Sequence, residues 1–414
     1  MGKGKEFARF APTLVLLLIA VLINYADRGT LALAAPIIKT EWGISASRLG
    51  VLFSAFFWTY MALQFAVGWL VDRFRVDAVM ALGFLIWSLS MAGSGLAVGF
   101  ASLLTMRLLL GVGESVMFPA ASKLCAQHLP EHSRGLANAM IMAAIRWGSA
   151  IGTFAGGLLI AHYGWHNAFL AIGLASLLWL PAWHRWRPGP PAIPEKHTDA
   201  APGFGAVLRQ PSFWGAATGH GCGNYLLYFL ISWLPYYLVQ ERHLSMTSMA
   251  GTAGLLYAVD SFSAIIAGTI ADRKVRKGGN PIAVRKWTMA VGFAISALGL
   301  MACAFSGPRT YWWCLLAIGI GSGSGNSASF AVGQTLAGPR VAGRWIGLQN
   351  GFANLSGIAG PPITGFLIDR TGHFTAALAL TALISVVGGL AWIFGVNNRQ
   401  QVDWAVSEKT LVQS

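Results

Sequence analysis

The sequence predicts an all-α membrane protein of twelve transmembrane helices in two pseudo-symmetric six-helix bundles. Three observations predict it. Of 414 residues, 55% are hydrophobic and 11% charged, with mean hydropathy +0.58; a soluble domain carries roughly 25% charged residues. Apolar runs long enough to cross a bilayer recur about twelve times. Finally, Gly68-Trp-Leu-Val-Asp72-Arg73-Phe-Arg75 returns 200 residues later as Gly268-Thr-Ile-Ala-Asp272-Arg273-Lys-Val-Arg276. A greasy chain that repeats itself at half its length is built like a two-bundle transporter.

The predicted spans are 12–36, 49–71, 77–99, 101–122, 137–161, 165–184, 213–239, 249–271, 286–306, 310–337, 345–368 and 373–396. The first lacks a small-residue cleavage site and is read as a retained helix. Fifty glycines let helix backbones approach closely where lipid supplies no hydrophobic pressure. Between the sixth and seventh spans, Arg187-Pro-Gly-Pro-Pro-Ala-Ile-Pro194 cannot span and does not read as a folded domain. The expected organisation is a bundle over 1–184, a connector over 185–211 and a bundle over 212–414. A weaker repeat pairs Gly157-Leu-Leu-Ile-Ala-His162 with Gly365-Phe-Leu-Ile-Asp369.

The net charge of +14 does not point to nucleic acid, because its placement follows the bilayer. Of 29 lysines and arginines, 21 fall in alternate loops and tails and five in the opposite loops (Lys39, Arg48, Arg242, Arg309 and Arg370). This pattern puts both termini in the cytoplasm of a multi-pass protein, expected in the cell inner (plasma) membrane. The four cysteines have no metal or redox spacing and read as small hydrophobes. No cofactor, metal or catalytic group is expected, and a monomer is. Seventeen tryptophans, such as Trp165, Trp183, Trp312 and Trp313, read as interface anchors.

Six acidic or arginine residues lie well inside predicted spans: Asp27, Arg28, Arg107, Glu114, Arg146 and Asp260. A charge at the bilayer centre costs about 2.5–3.5 kcal/mol on insertion scales, so each needs a partner or a wet cavity. At 1.5 Å per residue, Asp27 and Arg107 share an outer depth, and Glu114 lies two turns below Arg107. The expectation is that Asp27 pairs with Arg107. Tyr60 and Asp260 stand twelve residues before Asp72 and Asp272, so they are repeat mates. Tyr25, Gln64, Asn224, Tyr225, Tyr228, Ser232, Asn326, Asn350 and Asn354 add polar groups within apolar spans, any one of which is more often a packing contact than a ligand contact.

The loop after the second span fits the G-x-x-x-D-R-x-x-R pattern of the major facilitator superfamily, which the chain resembles. More narrowly it resembles the anion:cation symporter family. The resemblance rests on Asn24-Tyr-Ala-Asp27-Arg28, Arg107-Leu-Leu-Leu-Gly-Val-Gly-Glu114-Ser-Val-Met-Phe-Pro119, Tyr228-Phe-Leu-Ile-Ser-Trp-Leu-Pro235 and Asn350-Gly-Phe-Ala-Asn354. It implies the major facilitator fold and import of sugar acids, other carboxylates or phosphate. It also implies Asp27 and Glu114 as proton carriers, and Arg28 and Arg107 beside the anion. Tyr60, Asn350 and Asn354 would line the cavity. Gly68, Asp72, Arg73, Asp272 and Arg273 would form the inner gate motif. Arg146 and Asp260 are charged where the family has uncharged residues, and complete the expected substrate-binding set.

The expected chemistry is proton-coupled symport of a small organic anion by alternating access. Arginine keeps its charge and matches a carboxylate with a planar fork; a partly buried acid can exchange a proton. The partners are then the anion, protons and the lipid bilayer, with no nucleic acid. The alternative is an organic anion exchanger or a drug/proton antiporter. Thr153 stands where antiporters carry Pro, and three intramembrane arginines disfavour cationic drugs. No clustered nucleophile or metal motif supports an enzyme, and the internal repeat fits alternating access better than a channel or receptor.

Overall fold

The computed structural model describes residues 3–129, 131–189, 203–307, 310–338, 341–396, 401–402 and 404. Among the described residues the chain is helical, with no strand. The first three spans are α1 (Lys3–Trp42), α2 (Ala46–Arg73) and α3 (Val76–Ser94). The fourth is two helices, α4 (Phe100–Glu114) and α5 (Met117–His128). The fifth and sixth run together as α6 (Glu131–Ser176), broken at Gly164, whose φ of 76° and ψ of 161° suit a residue without Cβ. Then come α7 (Trp179–Trp186) and the short α8 (Phe204–Leu208). Residues 190–202 of the predicted connector lie outside the described residues.

In the second half, α9 (Pro211–Gln240), α10 (Met246–Arg276) and α11 (Pro281–Ala304) are single helices. The tenth span breaks into α12 (Tyr311–Gly325) and α13 (Ser329–Ala337). It is followed by α14 (Ala342–Thr371) and α15 (Thr375–Leu390), which ends in a π-helical turn over Ala391–Gly395. Both halves therefore break their fourth member, one after Gly111-Val-Gly113-Glu114 and the other in a run of Gly and Ser. Among the described residues, eight stretches are long and apolar enough to span by themselves, and the merged Ala143–Trp186 counts once. The polar residues of α9 and α14 accompany their absence from that set.

Two compact units form. One comprises Met1–Lys196 with Ile231–Tyr257 and Pro361–Asp369; the other comprises His197–Leu230, Ala258–Gly360 and Arg370–Ser414. Glycine sets the tightest crossings in the first unit. Gly148, Gly152 and Gly156 repeat every fourth residue along one face of α6. A Cβ on Gly148 would meet Leu22 of α1 at 2.7 Å, and one on Gly152 would meet the backbone of Ala26. Small residues at this spacing are how membrane helices gain van der Waals contact. They press α1 onto α6 beside Asp27 and Arg28. In the second unit, Phe213, Phe293, Val332, Leu336, Trp345 and Trp392 centre a buried cluster.

Two of the expected anchors are structural instead. Trp165 and Trp183 are buried. Their indole N–H groups donate to Glu41 and to the Asp77 carbonyl, at 2.9 and 3.0 Å. A helix end gives an indole two destinations, lipid headgroup or neighbouring helix, and here the hydrogen bond decides. Trp312 and Trp313 do face outward.

Candidate functional site

The intramembrane charges of the first unit converge. Arg28 on α1 donates through Nε to Oε2 of Glu114 at 2.9 Å, and both side chains are buried. The guanidinium carbon also lies 4.8, 4.7 and 4.8 Å from the ring centres of Tyr25, Phe56 and Tyr60. Arg28 is thus caged by three aromatic faces and pinned by one carboxylate. A desolvated guanidinium over an aromatic face gains about 2 kcal/mol or more. That attraction offsets part of the cost of holding the charge inside the bundle.

Glu114 owes its position to glycine. It ends α4, and just before it a Cβ on Gly111 would strike the Phe56 carbonyl and the Thr59 hydroxyl of α2. One on Gly113 would meet the Trp87 N–H at 2.5 Å and the Gly83 carbonyl at 2.7 Å, both on α3. Backbone contact on both sides fixes the height and rotation of α4, and with them the carboxylate.

The expected Asp27–Arg107 ion pair does not form. Asp27 accepts instead from the Trp87 indole at 3.0 Å, fully buried. Successive helix residues point about 100° apart. With Arg28 turned to α4, Asp27 is turned to α3. Arg107 is buried 5.4 Å from the Phe56 ring centre, so that ring serves both guanidiniums. Among the described residues, Nε of Arg107 and Oδ1 of Asp27 have no hydrogen-bond partner. A buried donor on a permanent cation is suited to an anion. Arg146 is half-buried on α6 and near enough to Tyr25 for electrostatic interaction.

The second unit holds an uncharged counterpart. The Tyr228 hydroxyl donates to Oδ1 of Asn354 at 2.6 Å, and Nδ2 of Asn354 donates to the Asn350 carbonyl at 2.9 Å. Asn326, at the break in the tenth span, reaches Asn224 at 3.5 Å. Asp260 is buried where α10 meets α12, at the point where a Cβ on Gly323 would strike the Asp260 carbonyl.

Of the gate-motif residues, Asp272 is held by Arg285 at 3.1 Å, and Arg73 and Arg273 are exposed. Gly68 and Asp72 lie in α2, but their side chains are outside the described ones. The sequence reading did not single out Trp87, Phe56 or the buried His220. The His220 ring nitrogen lies 3.5 Å from Nε2 of Gln349, whose Oε1 accepts from Trp345 at 3.0 Å. A histidine inside an apolar run was a readable signal; nothing local distinguished Trp87 from sixteen other tryptophans. Among the described residues, no group of histidine, cysteine or acidic side chains could hold a metal ion.

Comparison with known proteins gives the family. The family profile of the Major Facilitator Superfamily matches residues 17–284 and 279–410. The probable galactarate/D-glucarate transporter GudP of Bacillus subtilis (strain 168) is 27% identical over 96% of this chain and 96% of its own length. The hexuronate transporter of the same organism is 28% identical over 92% and 93%. The probable sulfoacetate transporter SauU of Cupriavidus necator is 27% identical over 90% of each. A bacterial homologue of the human lysosomal transporter Spinster, solved inward-facing and unoccupied, superposes with a TM-score of 0.77 at 19% identity over 98% of both chains. The profile covers both halves and the solved fold covers nearly every residue. The chain belongs to the Major Facilitator Superfamily and is a multi-pass membrane transporter, not an enzyme.

Proposed function

We propose that this transporter is a proton-coupled symporter that imports a small organic anion, such as a sugar acid, by alternating access. The observation that carries this reading is the buried Arg28–Glu114 pair at 2.9 Å inside its aromatic cage, with Asp27 and Arg107 beside it. Ionised, Glu114 occupies Arg28. Protonated, it releases the guanidinium fork to a substrate carboxylate. Proton and anion then favour each other's binding, which is the coupling a symporter needs. Arg107 supplies a second fixed cation, and the hydroxyls of Tyr25 and Tyr60 match a polyhydroxylated acid. Tyr228, Asn350 and Asn354 line the second half of the path, with Arg146 and Asp260 as further substrate contacts. The Asp72-Arg73 and Asp272-Arg273 pairs, which fall at the ends of α2 and α10 and not in loops, brace the inner gate. Relatives named for galactarate, glucarate and hexuronate support a sugar-acid cargo. In this reading the chain works as a monomer in the cell inner membrane with both termini in the cytoplasm, residues 185–211 joining the two halves.

Proteoliposomes test it. An inward proton gradient should drive accumulation of a labelled sugar acid by the natural protein. Glu114→Gln should abolish gradient-driven uptake and keep exchange of internal for external substrate. Uptake by the natural protein that ignores the gradient would instead identify an exchanger.

A further inference from the structure

The second unit carries a groove on its outer surface that the transport path does not use. It has a volume of about 560 Å³ and runs between α10 and α11. The helix packing explains it. A Cβ on Gly292 would strike the Gly325 backbone, and one on Gly323 the Asp260 carbonyl, so α12 is clamped to both α11 and α10. Just past that clamp the span breaks at Asn326–Ala328. Its continuation α13 turns inward, putting Val332 and Leu336 into the buried cluster with Phe213 and Trp345. Below the break, no helix among the described residues fills the space between α10 and α11.

The walls are apolar. Ile266, Ile270, Trp287, Val291 and Ile320 line the groove, all substantially exposed. Its hydroxyls are spent on backbone: Ser263 and Ser324 donate to the Ile320 carbonyl at 2.6 and 2.7 Å, and Thr288 to the Val284 carbonyl at 2.9 Å. One end is cationic. Lys274 closes it. Arg273 and Arg276 share the last turn of α10, and Lys277 follows directly after it. Asp272, the acid of that turn, is already taken by Arg285 at 3.1 Å. From Ser263 to Lys274 the helix rises about 16 Å, close to the roughly 15 Å of one hydrocarbon leaflet.

We propose that this groove is a binding site for an anionic phospholipid. One acyl chain lies along Ile266, Ile270 and Val291, and the headgroup phosphate rests on Lys274 with Lys277 beside it. The apolar length matches a chain, and the charge at its end matches a phosphodiester, which a zwitterionic lipid neutralises within its own headgroup. Basic residues at the membrane surface attract anionic lipid by about fivefold per cation.

Native mass spectrometry of the full-length protein, delipidated in mild detergent and titrated with phosphatidylglycerol or phosphatidylcholine of equal chain length, tests the site. The natural protein should retain phosphatidylglycerol about fivefold or more over phosphatidylcholine, and its melting midpoint should rise with the anionic lipid alone. Lys274→Gln should bring that ratio to within twofold of unity. Val291→Trp, or Ile270→Trp should the first fold poorly, fills the groove without changing charge and should lose the lipid equally. Equal retention of the two lipids by the natural protein would overturn the proposal. So would full preference in both tryptophan variants, which would assign the effect to loose surface charge, or an equal rise in midpoint with glycerol 3-phosphate, which would assign it to the headgroup alone.

Discussion

Ser47 and Asp369 are joined across 322 residues of sequence. The carboxylate at the end of α14 accepts from the Ser47 N–H at 2.7 Å, from the Ser47 hydroxyl, and from the Ala46 N–H at 2.9 Å. It therefore caps the start of α2, where free N–H groups and the helix dipole favour an anion. Backbone crossings flank the cap: a Cβ on Gly50 would meet Pro361, and one on Gly365 would strike Ala46.

This cap predicts an acid-sensitive stability. Burial alone would raise the Asp369 carboxyl, but the hydrogen bonds from Ser47 and Ala46 outweigh it and hold the group below its usual range. A carboxyl depressed in the folded state stabilises above its unfolded value, and that contribution is lost as pH falls through the folded value. The melting midpoint of the purified protein should drop on acidification below about pH 4. Asp369→Asn should start from a lower midpoint at neutral pH and show a smaller drop; Ser47→Ala should reduce the drop partway. Curves for the natural protein and Asp369→Asn that run parallel would mean the cap carries no linked proton.

Removing one member of the Arg28–Glu114 pair strands the other. Arg28→Ala should destabilise the transporter by about 3–5 kcal/mol, since a buried charge is left uncompensated. Adding Glu114→Gln to it should restore much of the loss. Thermal unfolding of the two single variants and the double variant measures the coupling, and strictly additive losses would show that the two side chains do not depend on each other.

Trp87 is predicted to act through Asp27. Trp87→Phe removes the donor and one of the two fused rings, leaving a buried acceptor unsatisfied at a cost of about 1–3 kcal/mol in addition to the lost packing. In an Asp27→Leu background, which has no acceptor for the indole N–H, the same change should cost less by about that amount. An equal cost in both backgrounds would make Trp87 a packing residue.

Gly152→Ala tests the seam between α1 and α6. Its new methyl would strike Ala26, one residue from Asp27. Overpacking of this kind costs about 1–3 kcal/mol, and the shift of α1 should reduce uptake more than its effect on stability explains. Gly268→Ala, whose Cβ would meet nothing within 4 Å, is the neutral control.

The sequence made the height of each charge legible and left its direction hidden. Rise per residue put Asp27, Arg107 and Glu114 at neighbouring depths, and they do gather. It could not say that Arg28 takes the carboxylate while Asp27 turns to an indole, because that choice depends on how α3 and α4 are rotated. The rotation is set by Gly83 and Gly113, two of fifty glycines. The sequence predicts an unbroken tenth span over 310–337, although the run Gly321-Ser-Gly-Ser-Gly-Asn326 is a readable weak point. The break after Glu114 was masked by the continuous apolar run. Trp165 and Trp183 misled because an indole near a helix end looks alike whether its N–H finds a headgroup or a neighbouring helix.

The clamping of α4 has a practical meaning for anyone wishing to retarget this carrier. Its acid is seated by main chain against main chain, so the frame around Glu114 has no slack. The rings of Tyr25, Phe56 and Tyr60, by contrast, are side chains that can be exchanged one at a time around a stationary charge. Under the function proposed above, altered selectivity is to be sought by trimming those rings, with the glycine-braced carboxylate left alone.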